Sequence, residues 1–360
     1  MLITLLCWAI GLCLAWWLLS WHRESYRINM KGRYVLISGC DSGFGRQLAL
    51  RLLADGVNVF AGCFTVSGAD SLVADSGGLK GKLFPVDLDI TSQKSVDACF
   101  ETVRKVLNQK NANLWGLVNN AGFLAVYGPM DWTDVVDYEQ SINVNLLGAI
   151  RMSKKFTPLI KRSVGRIVTM ISASGRLHGF YTAPYVTAKF GLEGYIDNLR
   201  LEMRPFGVKV SILEPGAFKT NLMNPQAMRE RVESAWNKLD EDTKAEYGVQ
   251  FKDNYILRHN AGTSLIANRN LDIVADAYIH ALSAVHPRHR YVCGWDARLF
   301  LIPISFLAST WQDALIQFMM DVTSGFSKPA VLTDKKHQKM PNKALLTDKD
   351  KLKSANRSIG

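Results

Sequence analysis

Apolar positions along this chain follow three regimes. The first, 2–21 (LITLLCWAIGLCLAWWLLSW), runs without a single charge. In the second, from about 31 to 293, short β-rich apolar runs alternate with stretches of helical spacing. In the third, from Ser327 onward, apolar periodicity is lost and lysine takes over. Within the middle regime, 33–38, 57–62, 83–86, 114–118, 166–171, 208–213 and 290–292 read as strands. Helices are predicted over 46–54, from near Thr91, over 131–150, from Pro184 to about Pro205, and over 226–239. This alternation predicts an α/β fold, a Rossmann-like doubly wound parallel sheet with helices on both faces.

The first regime has the length of a membrane span. About 20 apolar residues rising 1.5 Å each cover roughly 30 Å, the hydrocarbon thickness of a bilayer. Trp16, Trp17 and Trp21 lie near its far end, where indoles favour the interface. A cleaved signal peptide fits less well, because the start carries no charged side chain, the run is long and no small-x-small site follows. His22, Arg23, Arg27, Lys31 and Arg33 come directly after it, so the positive-inside tendency turns the globular part toward the cytosol. An uncleaved N-terminal transmembrane anchor over 1–28 is expected.

Candidate chemistry starts at the end of the first strand. Gly39, Cys40, Asp41, Ser42, Gly43, Phe44 and Gly45 form a glycine-rich turn between a strand and a helix. That setting lets a loop bring a pyrophosphate onto a helix N-terminus. The second strand ends at Cys63-Phe64-Thr65, which offers neither an acid for a ribose nor a base for a 2′-phosphate. No Lys or Arg occurs between Arg51 and Lys80, and Asp41 would repel an extra phosphate, so NAD is favoured over NADP. Asp87 closes the third strand, where it could bond an adenine amine or cap the next helix. Asn119, Asn120, Ala121 and Gly122 follow the fourth strand, residue types that allow close backbone approach to a ligand.

Farther on, Tyr185 precedes Lys189 by four positions, a spacing that puts both on one face of a helix. An ammonium beside a phenol favours the phenolate, which makes the two a candidate proton-transfer couple. Ser172, at the end of the strand 166–171, could hold a substrate oxygen beside the tyrosine.

In this order the glycine turn, Asp87, the 119–122 turn, Asn145, Ser172, Tyr185, Lys189 and Pro215-Gly216 resemble the short-chain dehydrogenase/reductase family over about 31–293. The loop 38–45, His286-Pro287-Arg288 and Gly294-Trp295-Asp296-Ala297 resemble its microsomal retinol and hydroxysteroid dehydrogenase branch, with Ser38 where many members carry threonine. The resemblance implies Tyr185 as general acid/base, Ser172 as orienting donor, and Lys189 lowering the phenol's pKa and holding the nicotinamide ribose. It implies that Asn145 keeps a relay water, that Thr220 contacts the nicotinamide carboxamide or phosphates, and that the dehydrogenase domain spans 29–298. The segment 221–268 becomes a substrate lid. The activity implied is hydride transfer between NAD and an apolar alcohol or carbonyl, a steroid or retinol, in the endoplasmic reticulum membrane. Two alternatives are a D-β-hydroxybutyrate-type small hydroxy-acid dehydrogenase and a catalytically silent lipid-binding member. A homodimer is compatible with this reading, and nothing in the sequence sets the oligomeric state.

Composition adds exclusions. Six cysteines without paired spacing suggest neither a disulfide framework nor a zinc knuckle. His178, His259, His286 and His289 lack metal-ligand spacing, so no metal is expected. The formal charge of +11 comes with no basic-aromatic stripe or recognition-helix pattern, which argues against nucleic acid. The apolar segment 299–311 within 299–326 is too short to span a bilayer. It suits a membrane dip, an entrance wall or a core-packing helix. The tail 327–360 reads as disordered, and its Asn356-Arg357-Ser358 sequon would stay unused in the cytosol.

Overall fold

The computed structural model describes residues 1–124, 128–324 and 327–333. Seven strands, β1 (Tyr34–Ser38), β2 (Asn58–Cys63), β3 (Leu83–Asp87), β4 (Leu114–Asn119), β5 (Arg166–Met170), β6 (Lys209–Pro215) and β7 (Arg290–Cys293), form one sheet in the order 3-2-1-4-5-6-7. Every pairing is parallel. The order reverses between β1 and β4, and in open α/β sheets a crevice for ligands opens beyond the strand ends at such a point.

Period-two alternation sorts the core into two layers. Tyr34 and Leu36 of β1 face one side, with Phe60, Val96, Phe156 and Ile196. Val35 and Ile37 face the other, with Leu48, Leu52, Leu72 and Tyr278. The helices α1 (Leu2–Ser25), α2 (Gly43–Ala54), α3 (Val66–Asp75), α4 (Gln93–Gln109), α5 (Val135–Ile142), α6 (Ala149–Ser163) and α7 (Ala183–Met203) come first in the chain. The segment expected as a lid follows as α8 (Pro225–Lys238), α9 (Glu241–Tyr247) and α10 (Val249–Ile266), and α11 (Asp272–Ser283) precedes β7. Helices α4, α6 and α7 cover the first face, and α2, α3 and α11 the second. Burying one large apolar side chain such as Phe60 contributes about 1.5–3 kcal/mol, so both layers are needed.

The expected helix over 131–150 differs in detail. Asp134 accepts from Val136 N (2.7 Å) and Asp137 N (3.3 Å), while Asp137 accepts from Asp134 N (3.0 Å). This reciprocal cap starts α5 at Val135 and leaves Met130–Trp132 as a separate turn. After α5 the residues Asn143–Gly148 widen into π-helical turns before α6 resumes. Such bulges often mark functional positions, and Asn145 lies inside this one.

At the N-terminus α1 is one continuous helix of 24 residues, many of whose side chains lie outside the described set. Among the described residues no helix is long and apolar enough to cross a membrane. The helical segment is shorter than the expected 1–28. Val285 N donates to Tyr26 O (3.0 Å), Ile28 N to Ser283 O (2.6 Å), and Arg288 pairs with Glu24 (2.6 Å), so 26–28 already belong to the body.

At the other end, the apolar stretch folds into a π turn (Ala297–Leu301), a short α12 (Ile302–Ile304) and α13 (Ser309–Ser324). Ile302 and Ile304 are buried whereas Leu299, Phe306 and Trp311 are exposed, so the stretch is part core and part surface. The expectation of a tail without structure from Ser327 is corrected over its first residues. The short helix α14 (Ala330–Thr333) packs on α9, and 334–360 lie outside the described residues.

Candidate active site

The turn after β1 is held from the far side of the switch point. Ser38 Oγ accepts from Asn120 N and Ala121 N, both at 3.1 Å. Asn120 Nδ2 returns bonds to the Ser38 and Gly39 carbonyls at 3.0 Å each, and its Oδ1 accepts from Tyr278 Oη at 3.1 Å. Gly39 has φ +73° and lies against Ala121, a conformation that favours glycine. At Gly45 a side chain would strike the Gly39 carbonyl and the Asn120 amide. The loop therefore lies flat against β4. Ser42 leads into α2 without a side-chain cap, so the first N–H groups of α2 are free to meet an anion.

A cavity of about 930 Å³ runs from this loop across the strand ends to the lid. Gly39, Asp41, Ser42, Gly43, Phe44, Ala121, Gly122, Pro215, Gly216 and Thr220 line it, and so do Ser172, Tyr185 and Lys189. Its size, its glycine cradle and the open helix N-terminus fit a nicotinamide dinucleotide.

Five expected residues, Cys63, Asn119, Asp87, Gly45 and Asn145, stand beside the lining rather than in it. Cys63 is buried, and burial pushes its thiol up to about 11; its neighbour Phe64 is the one in the wall. Asn119 is also buried and bonds Ser153 (2.9 Å) and Thr169 (3.3 Å), while Asn120 lines the cavity. Asp87 is exposed at the end of β3, and Leu88 and Asp89 line the cavity instead. Gly45 acts from beneath the loop.

On α7 the expected couple is present. Lys189 is buried, its Nζ 5.4 Å from the centre of the Tyr185 ring and 3.3 Å from Met170 O. Burial pushes the Tyr185 phenol up to about 12, against a lowering hydrogen bond from Ser172. Burial pushes Lys189 down to about 7. Burial thus favours neutral phenol and neutral amine over the ion pair that the resemblance implies. The two forms hold the same number of protons, so moving one proton from phenol to amine produces a phenolate beside an ammonium. A bound cationic ring would favour that shift. Ser172 Oγ lies 3.1 Å from Ser174 N, which fixes it at the mouth of β5.

Asn145 is buried and spends its amide on the backbone. Its Oδ1 accepts from Phe123 N (3.0 Å), and its Nδ2 donates to Phe123 O (2.7 Å) and Ser141 Oγ (3.2 Å). One lone pair of Oδ1 is all that the side chain retains for a relay.

The residues missed from sequence are mostly aromatic. Trp132, Trp236, Phe251 and Tyr255 form a buried cluster against which Tyr181 and Tyr185 pack. Tyr181 and Tyr255 rings lie 5.1 Å apart. Helical spacing of Phe251 and Tyr255 on α10 was the one available signal. Leu124, Leu222, Ile266 and Leu301 complete an apolar wall at the lid end of the cavity. Among the described residues no group of His, Cys, Asp and Glu could hold a metal ion.

Residues 33–231 match the family described as short chain dehydrogenase. The chain is 50% identical over 320 residues to a 3beta-hydroxysteroid dehydrogenase, dhs-16, of Caenorhabditis elegans, covering 88% of this chain and 82% of that one. It is 38% identical to the human 17-beta-hydroxysteroid dehydrogenase type 6 and 37% identical to retinol dehydrogenase 7 of Rattus norvegicus, in each case over 88% of this chain and 96% of the relative. A short chain dehydrogenase/reductase from Burkholderia phymatum in complex with NAD shares the fold, with a TM-score of 0.64 at 19% identity over 81% of this chain and 96% of that one. One from Burkholderia cenocepacia in complex with NADP does so with a TM-score of 0.59, at 19% identity over 80% and 99%.

Proposed function

The chain belongs to the short chain dehydrogenase family, and from that premise we propose that it is an NAD-preferring oxidoreductase interconverting a hydroxysteroid or retinol and its carbonyl form. The observation that carries the proposal is the set of half-buried Ser172 and Tyr185 with buried Lys189, at the junction of a dinucleotide cradle with an apolar wall. A cavity this large, walled by Leu124, Leu222, Ile266 and Leu301, suits a fused-ring or polyene substrate better than a small hydroxy acid.

When bound, the dinucleotide supplies the hydride acceptor. The chain does the rest. Ser172 Oγ orients the substrate oxygen, and Tyr185 Oη takes its proton during oxidation and returns one during reduction. Lys189 exchanges that proton with the phenol and holds the ribose, Asn145 keeps the Phe123 backbone in place, and the lid excludes water.

The preference for NAD rests on Asp41. Its carboxylate accepts from Phe64 N (2.9 Å), Thr65 N (2.8 Å) and Thr65 Oγ1 (2.8 Å), so a negative charge is pinned at the end of β2. Arg46, on the same flank, is paired with Asp75 at 2.6 Å. A 2′-phosphate would meet this anion, with the nearby Arg46 already paired. We expect kcat/KM with NAD to exceed that with NADP on 3β- or 17β-hydroxysteroid and on retinol, and Phe64→Arg to shift the ratio toward NADP. Phe64 is the better position, because Thr65 caps α3 through Gly68 N. A wild-type protein faster with NADP would refute the preference, and no turnover of either substrate would refute the function.

The proposal extends to placement: an endoplasmic reticulum membrane, with α1 as the anchor and the catalytic domain in the cytosol. The support is the charge-free 2–21 and the cations that follow it. Full-length protein should stay with membranes through an alkaline carbonate wash. A chain beginning at Glu24, which keeps the Arg288 pair and the Tyr26 to Val285 bond, should stay folded and wash off more readily. Release of the full-length protein would exclude a spanning anchor, and glycan on Asn356 would exclude the cytosolic orientation.

A further inference from the structure

Outside the cavity lining lies a cluster of charges that proton transfer does not use. Arg290 Nη1 donates to Glu193 Oε1 (2.7 Å) and to Glu214 Oε1 (2.9 Å), and its Nη2 donates to Asp197 Oδ2 (2.5 Å). Arg176 adds longer ion pairs to Glu214 (3.6 Å) and Glu193 (3.9 Å). The Glu214 side chain is 0% exposed, and Glu193 Oε2 and Glu214 Oε2 are both buried without a hydrogen-bond partner.

The sequence positions of these groups are informative. Glu193 lies one helical turn beyond Lys189 on α7, and Asp197 one turn further. Glu214 immediately precedes Pro215-Gly216, the turn lining the cavity beside Ser172. Glu193 also presses on Gly175, which ends the turn opened by Ser172; a Cβ there would come within 2.7 Å of Glu193 Oε2. Arg290 starts β7, which pairs with β6. One guanidinium therefore joins the catalytic helix to the strand end that carries the Pro215-Gly216 turn.

Stability alone does not require charges here. Buried ion pairs are often replaceable by apolar side chains of similar volume with no loss of stability. What apolar packing lacks is direction. A planar guanidinium holds carboxylates from two elements at set angles, whereas packed methyl groups can slide.

We propose that Arg290 is a positioning residue that keeps Tyr185 and Lys189 in register with the Pro215-Gly216 turn by clamping Glu193 and Glu214 together. The proposal rests on the assignment of Tyr185 and Lys189 made above. Its consequence is selective: the glycine loop is held by Asn120 and Ser38, so the pyrophosphate cradle does not depend on the clamp and cofactor affinity changes little beyond the Lys189 ribose contact. Turnover does, because a misplacement of about 1 Å can cost about 100-fold in rate.

The test uses full-length protein, a hydroxysteroid and NAD, with melting temperature, NAD dissociation constant, KM and kcat measured for each variant. Arg290→Met alone leaves Glu193 and buried Glu214 with only the longer Arg176 pairs and should melt below wild type. Combining it with Glu193→Gln and Glu214→Gln removes those charges and should recover most of the melting temperature. Despite that recovery, kcat of the triple variant should stay down about 10–100-fold, with NAD affinity within about 3-fold of wild type. Arg290→Lys keeps the charge but loses the fork, so kcat should fall between the two even though the protein folds. Recovery of kcat together with the melting temperature in the triple variant would overturn the proposal. So would wild-type kcat in the lysine variant, or a loss confined to KM or NAD affinity. Tyr185→Phe, run alongside, separates the two levels: wild-type turnover there would sink the catalytic assignment itself, whatever Arg290 does.

Discussion

Replacing Tyr185 by phenylalanine is expected to cut turnover by about 10²–10⁴-fold while leaving NAD affinity nearly unchanged. The substitution removes one oxygen from a partly buried ring that packs on the Trp132–Tyr255 aromatic cluster, so the cavity keeps its shape. Lost with that oxygen is the hydroxyl that the proposed function assigns, beside Ser172 and Lys189, to take the substrate's proton. In free energy the loss is about 2.7–5.4 kcal/mol of transition-state stabilisation. The wild-type pH profile should carry the same signature. Below the Lys189 value of about 7 the couple holds both protons and offers no base. Above it one proton is gone and can be missing from the phenol, so kcat/KM for oxidation should rise with pH through that region. Reduction, which needs the proton back, should slope the other way. The midpoint belongs to the couple rather than to either residue. Near-normal turnover in the phenylalanine variant, or an oxidation rate falling with pH from 6 to 8, would remove Tyr185 from the role.

Gly45→Ala is expected to weaken NAD binding by about 5–150-fold, the equivalent of the 1–3 kcal/mol that overpacking typically costs. The added carbon would meet the Gly39 carbonyl and the Asn120 amide, and neither is a flexible side-chain end. Asn120 is held by three bonds, to Ser38, Gly39 and Tyr278, so relief has to come from the glycine loop. A loop lifted off β4 no longer aims the α2 N-terminus at a pyrophosphate. Gly194→Ala is the matched control for a glycine substitution inside a helix, since nothing lies within 4 Å there and, as at Gly45, φ is not in the left-handed region. Equilibrium NAD binding followed by tryptophan fluorescence decides the matter. Wild-type affinity in the Gly45 variant would mean that the loop has slack which the packing does not suggest.

Several site residues were legible one position away from where they act. Cys63, Asn119 and Asp87 each end a strand and each lie outside the lining, while Phe64, Asn120, Leu88 and Asp89 enter it. The reason is common to all three. Side chains on a strand alternate between faces, so the last strand residue and its successor point differently, and only the chain's exit from the sheet decides which one meets a ligand. Sequence marks the neighbourhood of such a boundary to within a residue or two, which is not enough to choose. Tyr185 and Lys189 escaped this problem because both sit inside a long helix, where a spacing of four fixes a shared face regardless of the ends.

By itself, then, the sequence determined what depends on local repetition. Alternating strands and helices specify the doubly wound sheet, and glycines between a strand and a helix specify a turn that can approach a phosphate. A charge-free run of 20 residues specifies most of the 24-residue helix α1. Tertiary structure decided what depends on distant segments meeting. The bonds from Asn120 to Gly39 and Tyr278 span 81 and 158 positions, and those from Arg290 to Glu193 and Glu214 span 97 and 76. The depressed basicity of Lys189 is likewise a property of its burial, not of its neighbours in the chain. No pattern of apolar residues encodes such pairings. Hydrophobic burial is non-directional and needs only that the right faces be covered, whereas a buried carboxylate or guanidinium needs its partner within about 3 Å and correctly oriented. Periodicity along the chain can select the first kind of contact; the second exists only once the sheet order has placed β6 and β7 beside α7.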